Sequence, residues 1–299
     1  MAFQYVISNW IYGDEDLRTT FERLHRFGYD GVELMGEPGK YDVGEVQRLC
    51  REFGLRVLTI AGMYPWPTDE RDLSNPDPAV RSRAVRYLKE CCDFACELGA
   101  RVVIVVPSAV AKTQPVGNPR DDEEWLRAYR DEWRWAVDSI GKAAVHAEAR
   151  GVFLAIEPIN RYETFLVNTC EQGLRMMHEI NSPAVRLHLD TFHMNIEEAD
   201  PARAVLEAGE ALVNLHIADS NRRAVGEGHT DFRAIIRALL DIGYKWTLSL
   251  EPLPPVPDPY LAARIKRFEH LRDEYAQVSI ERLKAMEKEL RGEEGGSRE

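Results

Sequence analysis

The chain has 299 residues, 44% of them hydrophobic and 29% charged, with a formal net charge of −12. No apolar run approaches the ~20 residues that span a bilayer, and the acidic balance argues against broad contact with nucleic acid, whose phosphates demand clustered Lys and Arg. Five cysteines without regular spacing argue against a disulfide framework; Cys92 and Cys96 share one helical face and read as buried small hydrophobes.

The opening segment, MAFQYVISNWIYGDED, has no basic stretch ahead of an apolar core, so cytoplasmic residence is expected. Strands are expected over Phe3–Ser8, Gly31–Leu34, Arg56–Ile60, Arg101–Val106, Val152–Ile156, Val185–Leu189, Val213–Ile217 and Trp246–Leu250. Helical patterns lie between them, including Leu17–Phe27, Val43–Phe53, Val80–Leu98, Glu124–Ala149 and Phe232–Ile242. At Gly28, Gly54, Gly99, Gly151 and Gly243 a helical pattern ends just ahead of a strand, the place for a left-handed residue that stops a helix. Short returns into Val- and Ile-rich runs imply parallel strands buried on both faces.

Eight such alternations predict an α/β fold, a (β/α)₈ TIM barrel. An open doubly wound sheet competes with it, but would carry a Gly-rich phosphate turn after its first strand, and SNWIYGDED offers none. No nucleotide cofactor is therefore expected. No linker divides the chain: residues 1–290 form one barrel domain, closed by a Pro-rich loop over Glu251–Tyr260 and a long charged helix, and 291–299 read as a disordered tail. The long loops after strands three and four read as lids or pocket walls.

Four residues with metal-ligating chemistry close successive apolar runs: Glu157 after FLAI, Asp190 after VRLHL, His216 in VNLHI and Glu251 after TLSL. Strand ends converge at the C-terminal mouth of a barrel. Three carboxylates and an imidazole there make a site for one divalent metal ion, Mn²⁺, Co²⁺, Mg²⁺ or Zn²⁺. Taken alone, Glu157 reads equally well as a cap for the following helix, and Glu163 as a solvated residue. Alternation puts His188 on the face of Asp190, where it reads as a satisfied core imidazole or a support to the site. His193 is placed to flank a ligand shared with Asp190 if the chain turns there. Arg222 sits above His216 and suits a substrate oxygen or the ligand carboxylates; its neighbour Arg223 reads as a surface residue. Glu157 and Glu251, on opposite sides of the mouth, suit proton removal and return on opposite faces of a carbon made acidic by a metal-stabilised enediolate.

The strings IEPINRYE, LDTFHMNIEE, HIADSNR and LSLEP closely resemble the D-tagatose 3-epimerase / D-psicose 3-epimerase family of the xylose isomerase-like barrel superfamily. The close match covers about Val152–Pro252; the N-terminal half matches only in its barrel rhythm. The resemblance implies that Glu157, Asp190, His216 and Glu251 hold the metal, Mn²⁺ foremost, and that Glu157 and Glu251 act as the acid–base pair at C3. It further implies that Glu163, His193 and Arg222 bind the O1–O3 end of a ketose, and that the protein is a homo-oligomer. The third- and fourth-strand ends depart from the family, so Trp10, Tyr64 and Trp66 are candidates for the wall around the distal sugar carbons. A free ketose is favoured, because the eighth loop, EPLPPVPDPY, is poor in the backbone N–H groups that hold phosphate. Competing readings are another sugar isomerase or a keto-inositol dehydratase of the same superfamily, an abasic-site DNA endonuclease, and a non-catalytic sugar-binding barrel.

Overall fold

The computed structural model describes residues 2–62, 70–117 and 120–296. Eight strands close into a barrel in sequence order: β1 (Gln4–Ser8), β2 (Gly31–Gly36), β3 (Arg56–Gly62), β4 (Val102–Val105), β5 (Phe153–Ile156), β6 (Val185–Asp190), β7 (Leu212–Ile217) and β8 (Thr247–Leu250). Every neighbouring pair is parallel, including β8 against β1. The TIM barrel expected from the alternating pattern is the observed fold. Around it run α1 (Leu17–Phe27), α2 (Val43–Phe53), α3 (Pro78–Leu98), α4 (Asp122–Arg150), α5 (Cys170–Ile180), α6 (Thr191–Glu197), α7 (Pro201–Ala208), α8 (Phe232–Asp241), α9 (Pro259–Ala262) and α10 (His270–Gly296). None of the described helices is long and apolar enough to cross a membrane.

The acidic composition has a structural use. Asp16, Asp42, Asp77, Asp121, Asp190, Asp200 and Asp231 each cap a helix by accepting a backbone N–H of its first turn. Each such cap stabilises its helix by about 1 kcal/mol. At the other ends, all five glycines singled out in the sequence have positive φ, from 63° at Gly243 to 78° at Gly99. Cys92 is buried as expected, whereas Cys96, one turn later, faces solvent. The last helix runs through Gly296, past the boundary expected near Leu290.

Two register shifts shape the barrel interior. Between β2 and β3, Val32 pairs with Val57 and Glu33 with Thr59, leaving Leu58 unopposed. Between β6 and β7, Leu187 pairs with Leu212 and His188 with Asn214, leaving Val213 unopposed. A bulge re-aims the side chains that follow it, and here it sets Glu33, Thr59, Asn214 and His216 into one hydrogen-bonded group. The long loops after β3 and β4 are fastened to each other and to α4: the Lys112 ammonium meets Asp72 at 2.7 Å and also pairs with Glu132, both carboxylates being buried. The described parts of the two loops are thus tied down at Asp72 and Lys112.

Candidate metal centre and its pocket

The strand ladder extends just past the strand ends and fixes the backbones of two candidate ligands. The Glu157 N–H donates to Val105 O and the Glu251 N–H to Ile217 O, both at 2.9 Å. A proline follows each glutamate and, having no N–H, stops the pairing there. Asp190 ends β6 and caps α6, so its two oxygens have separate tasks. Its Oδ1 accepts the Phe192 N–H at 2.7 Å, and its Oδ2 is left for the site.

His216 lies at the centre. Its Nδ1 is buried without a hydrogen-bond partner, yet it faces Glu251 Oε2 at 3.2 Å, Glu157 Oε1 at 3.8 Å and Asp190 Oδ2 at 3.9 Å. The four ligands expected from the sequence therefore converge. An unpartnered imidazole nitrogen among three carboxylates fits a divalent cation by its donor set, because such a cation satisfies the orphaned atom and offsets the negative charge together. On its other side, Nε2 lies 2.8 Å from Glu33 Oε1. Glu33 was not singled out in the sequence, and it is wholly buried.

The electrostatics follow from this crowding. Burial pushes the Asp190 carboxyl up, but the Arg222 charge foremost outweighs it and holds the group below the ordinary carboxylate range. Burial also opposes ionisation of Glu33, yet the adjacent His216 draws it down to about 2. Glu157 is lowered too, burial being offset by His188 and then His216. His216 is raised well above the usual imidazole value: burial disfavours its charge, and Glu251 and Glu33 more than compensate.

Arg222 spans two of the candidate ligands. Its Nη1 donates to Asp190 Oδ2 at 3.0 Å and its Nη2 to Glu251 Oε2 at 2.7 Å, while Nε has no partner. The residue takes a left-handed backbone, φ 62°, to reach this position. Trp10 Nε1 donates to the other oxygen of Glu251, so Trp10 touches a candidate ligand as well as lining the cavity. His188 departs from a satisfied core imidazole: neither ring nitrogen has a hydrogen-bond partner, and Nε2 stands 3.5 Å from Glu157 Oε1.

A cavity of about 400 Å³ opens over these residues and is also lined by Glu163, Phe192 and His193. All seven residues expected to act in the site thus border it or, for Asp190, face its ligand cluster. One wall is apolar, with Ile104, Val106, Val110 and Ile159. Tyr64 and Trp66 lie outside the described residues. Besides Glu33, the sequence reading missed Asn160, whose side chain reaches both Glu163, in its own loop after β5, and His193, on α6.

The xylose isomerase-like TIM barrel family model matches residues 21–283. An L-ribulose 3-epimerase of Mesorhizobium japonicum is 36% identical over 238 residues, 79% of this chain and 75% of that protein. An L-ribulose 3-epimerase of Methylomonas sp. is 31% identical over 264 residues, 87% of each chain. Among solved structures, a D-psicose 3-epimerase with D-tagatose from Clostridium cellulolyticum H10 superposes with a TM-score of 0.82 at 25% identity, covering 95% of this chain and 99% of that one.

Proposed function

The chain belongs to the xylose isomerase-like TIM barrel family and, within it, to the ketose 3-epimerases, and from that membership we propose that it inverts C3 of a free ketose with one bound divalent metal ion, Mn²⁺ foremost. The observation that carries the reading is the approach of Glu157 and Glu251, from β5 and β8, to the same nitrogen of His216 at 3.8 and 3.2 Å. Glu157, Asp190, His216 and Glu251 would hold the cation, which supplies Lewis-acid polarisation of the sugar oxygens. One glutamate takes the C3 proton and the other delivers a proton to the opposite face. A single carboxylate would return it to the face it came from, so inversion calls for both.

Glu163, His193 and Arg222 are assigned to the oxygen-rich end of the ketose, all three lining the cavity. The absence of phosphate from the proposed substrate rests on the seventh loop. Its backbone N–H groups already close on a carboxylate: Ser220 and Gly226 each donate to Asp219 at 2.7 Å and Thr230 at 3.1 Å. Asp219 is wholly buried, so it fills the cradle that a phosphate would need. Among the described lining residues, Arg222 carries the one permanent positive charge, and it is already shared by Asp190 and Glu251.

Proton NMR in D₂O tests the reading, with metal-reloaded protein and a panel of free and phosphorylated ketoses. Deuterium at C3 together with a new epimer is expected from a free ketose. Exchange at C1 with aldose formation would make the protein an aldose–ketose isomerase, and loss of water a dehydratase. Homo-oligomeric assembly and cytoplasmic residence are part of the same proposal, decided by sedimentation and by cell fractionation.

A further inference from the structure

Asn160 follows β5 in the loop that carries Glu163 and is 2% exposed. Both polar atoms of its side chain are engaged. Its Oδ1 accepts the Tyr162 backbone N–H at 3.0 Å. Its Nδ2 lies 2.8 Å from Glu163 Oε1 and 2.8 Å from His193 Nδ1.

The neighbours force the orientation of this amide. Turned end over end, it would set its oxygen against the Glu163 carboxylate and its NH₂ against a backbone N–H, replacing two attractions by two repulsions. The NH₂ group has two hydrogens to give and no acceptor to offer. His193 Nδ1 beside it must therefore accept, and the proton of the neutral ring must sit on Nε2. That nitrogen belongs to a side chain lining the cavity. It lies 3.6 Å from Asp190 Oδ2, too far for a hydrogen bond.

We propose that Asn160 is a positioning residue that locks His193 as an Nε2–H donor toward the cavity and holds Glu163 beside it with the same amide group. The backbone reinforces the hold, because the Asn160 carbonyl accepts N–H groups from Glu163 at 2.9 Å and Thr164 at 3.1 Å. The consequence for chemistry is a choice of sign. A donor can serve a carbonyl oxygen or one gaining negative charge, and strengthens as that charge grows; the other tautomer would present a lone pair and repel it. This step rests on the ketose reading for its occupant, but the tautomer itself does not.

The test is ¹⁵N NMR of histidine-labelled protein loaded with diamagnetic Mg²⁺ and without sugar, the His193 signals being assigned by their loss in His193→Gln. A bare Nδ1 and protonated Nε2 are expected. A proton on Nδ1 in the unsubstituted protein overturns the proposal outright, with no variant needed. In Asn160→Asp the donor becomes an acceptor, and Nδ1 is expected to gain a proton; an unchanged Nδ1 also overturns it. With a ketose that turns over, Asn160→Asp should lose about 10²-fold in kcat, the effect of removing one donor to a developing charge, with a much smaller change in KM. A changed tautomer with unchanged kcat would overturn the positioning role. Should the epimerase reading be wrong, turnover is missing from the unsubstituted protein while the tautomer stays as expected.

Discussion

Glu33 Oε1 lies 2.8 Å from His216 Nε2, and this contact decides which nitrogen of His216 meets the three carboxylates of the site. Against its burial, the neighbouring His216 holds the Glu33 carboxyl well below the ordinary range, which favours the carboxylate, an acceptor only. That carboxylate keeps a proton on Nε2 and leaves Nδ1 to face the ligands. Its second oxygen accepts from Thr59 at 2.7 Å and Asn214 at 3.1 Å, so the carboxylate is held from β3 as well as from β7.

Glu33→Gln should accordingly weaken metal binding. If the amide oxygen serves His216, its NH₂ meets the Asn214 amide donor, and one bond is lost whichever way it turns. Supports of this kind to a metal-ligating histidine are worth about 10- to 100-fold in metal affinity. Calorimetric titration with Mn²⁺ measures it, alongside circular dichroism to confirm the fold. Affinity equal to that of the unsubstituted protein would show that Glu33 does not set the tautomer.

Glu157→Gln and Glu251→Gln probe the acid–base pair. Each keeps the shape of its side chain but loses the basic carboxylate, and a fall of about 10²- to 10⁴-fold in kcat is expected from either. Because each is also a proposed ligand, turnover should be measured at saturating metal with the bound metal counted. Undiminished turnover in either variant removes that residue from the pair.

Arg222 separates two roles that share one guanidinium. With Arg222→Ala, Asp190 and Glu251 lose their common cation, and breaking such a buried pair costs about 3–5 kcal/mol. The chelated variant should therefore melt well below the chelated unsubstituted protein, and Mn²⁺ should recover more of the loss than it adds to the latter. KM for the ketose should rise as well, since Arg222 lines the cavity and is proposed to bind the sugar oxygens. Arg222→Lys keeps the charge but cannot bridge both carboxylates, so it should restore stability in part and KM little. An unchanged KM in Arg222→Ala would refute the substrate-binding role.

The legible parts of this molecule were the local ones. A glycine that ends a helix and a run of β-branched residues announce themselves within a few positions, so the eight strands and five left-handed glycines stood where expected. The convergence of Glu157, Asp190, His216 and Glu251 was legible for a related reason, since barrel closure brings all the strand ends to one mouth. Glu33 was not, because its partner His216 is 183 positions away and the register shift that aims Glu33 leaves no mark in GVELM. The double use of Asn160 was hidden similarly, His193 being 33 positions away on the far side of another strand. For His188 the sequence left two readings open, because alternation tells which face a side chain takes and cannot tell whether a partner waits there; its position 3.5 Å from Glu157, with neither ring nitrogen hydrogen-bonded, fits a support to the site and not a satisfied core imidazole.

Acidity should loosen the metal through His216. Its pKa in the folded, metal-free protein is raised well above 6.5, with burial outweighed by Glu251 and Glu33. A raised pKa means that the charged ring contributes stability fully present below its unfolded value of about 6.5 and lost as pH rises through the folded value. A cation needs Nδ1 bare, so below the folded pKa its uptake must expel a proton. Affinity should then fall about tenfold for each unit of pH lowered in that range, and level off above it. Asp190 and Glu157, both held low, add no proton of their own until the solution is strongly acid. Titration calorimetry with Mn²⁺ at pH 7 in buffers of different ionisation enthalpy counts the protons, and about one per metal is expected. Zero protons released, with full binding, would mean that His216 is already neutral and that the carboxylates around it do not hold its charge.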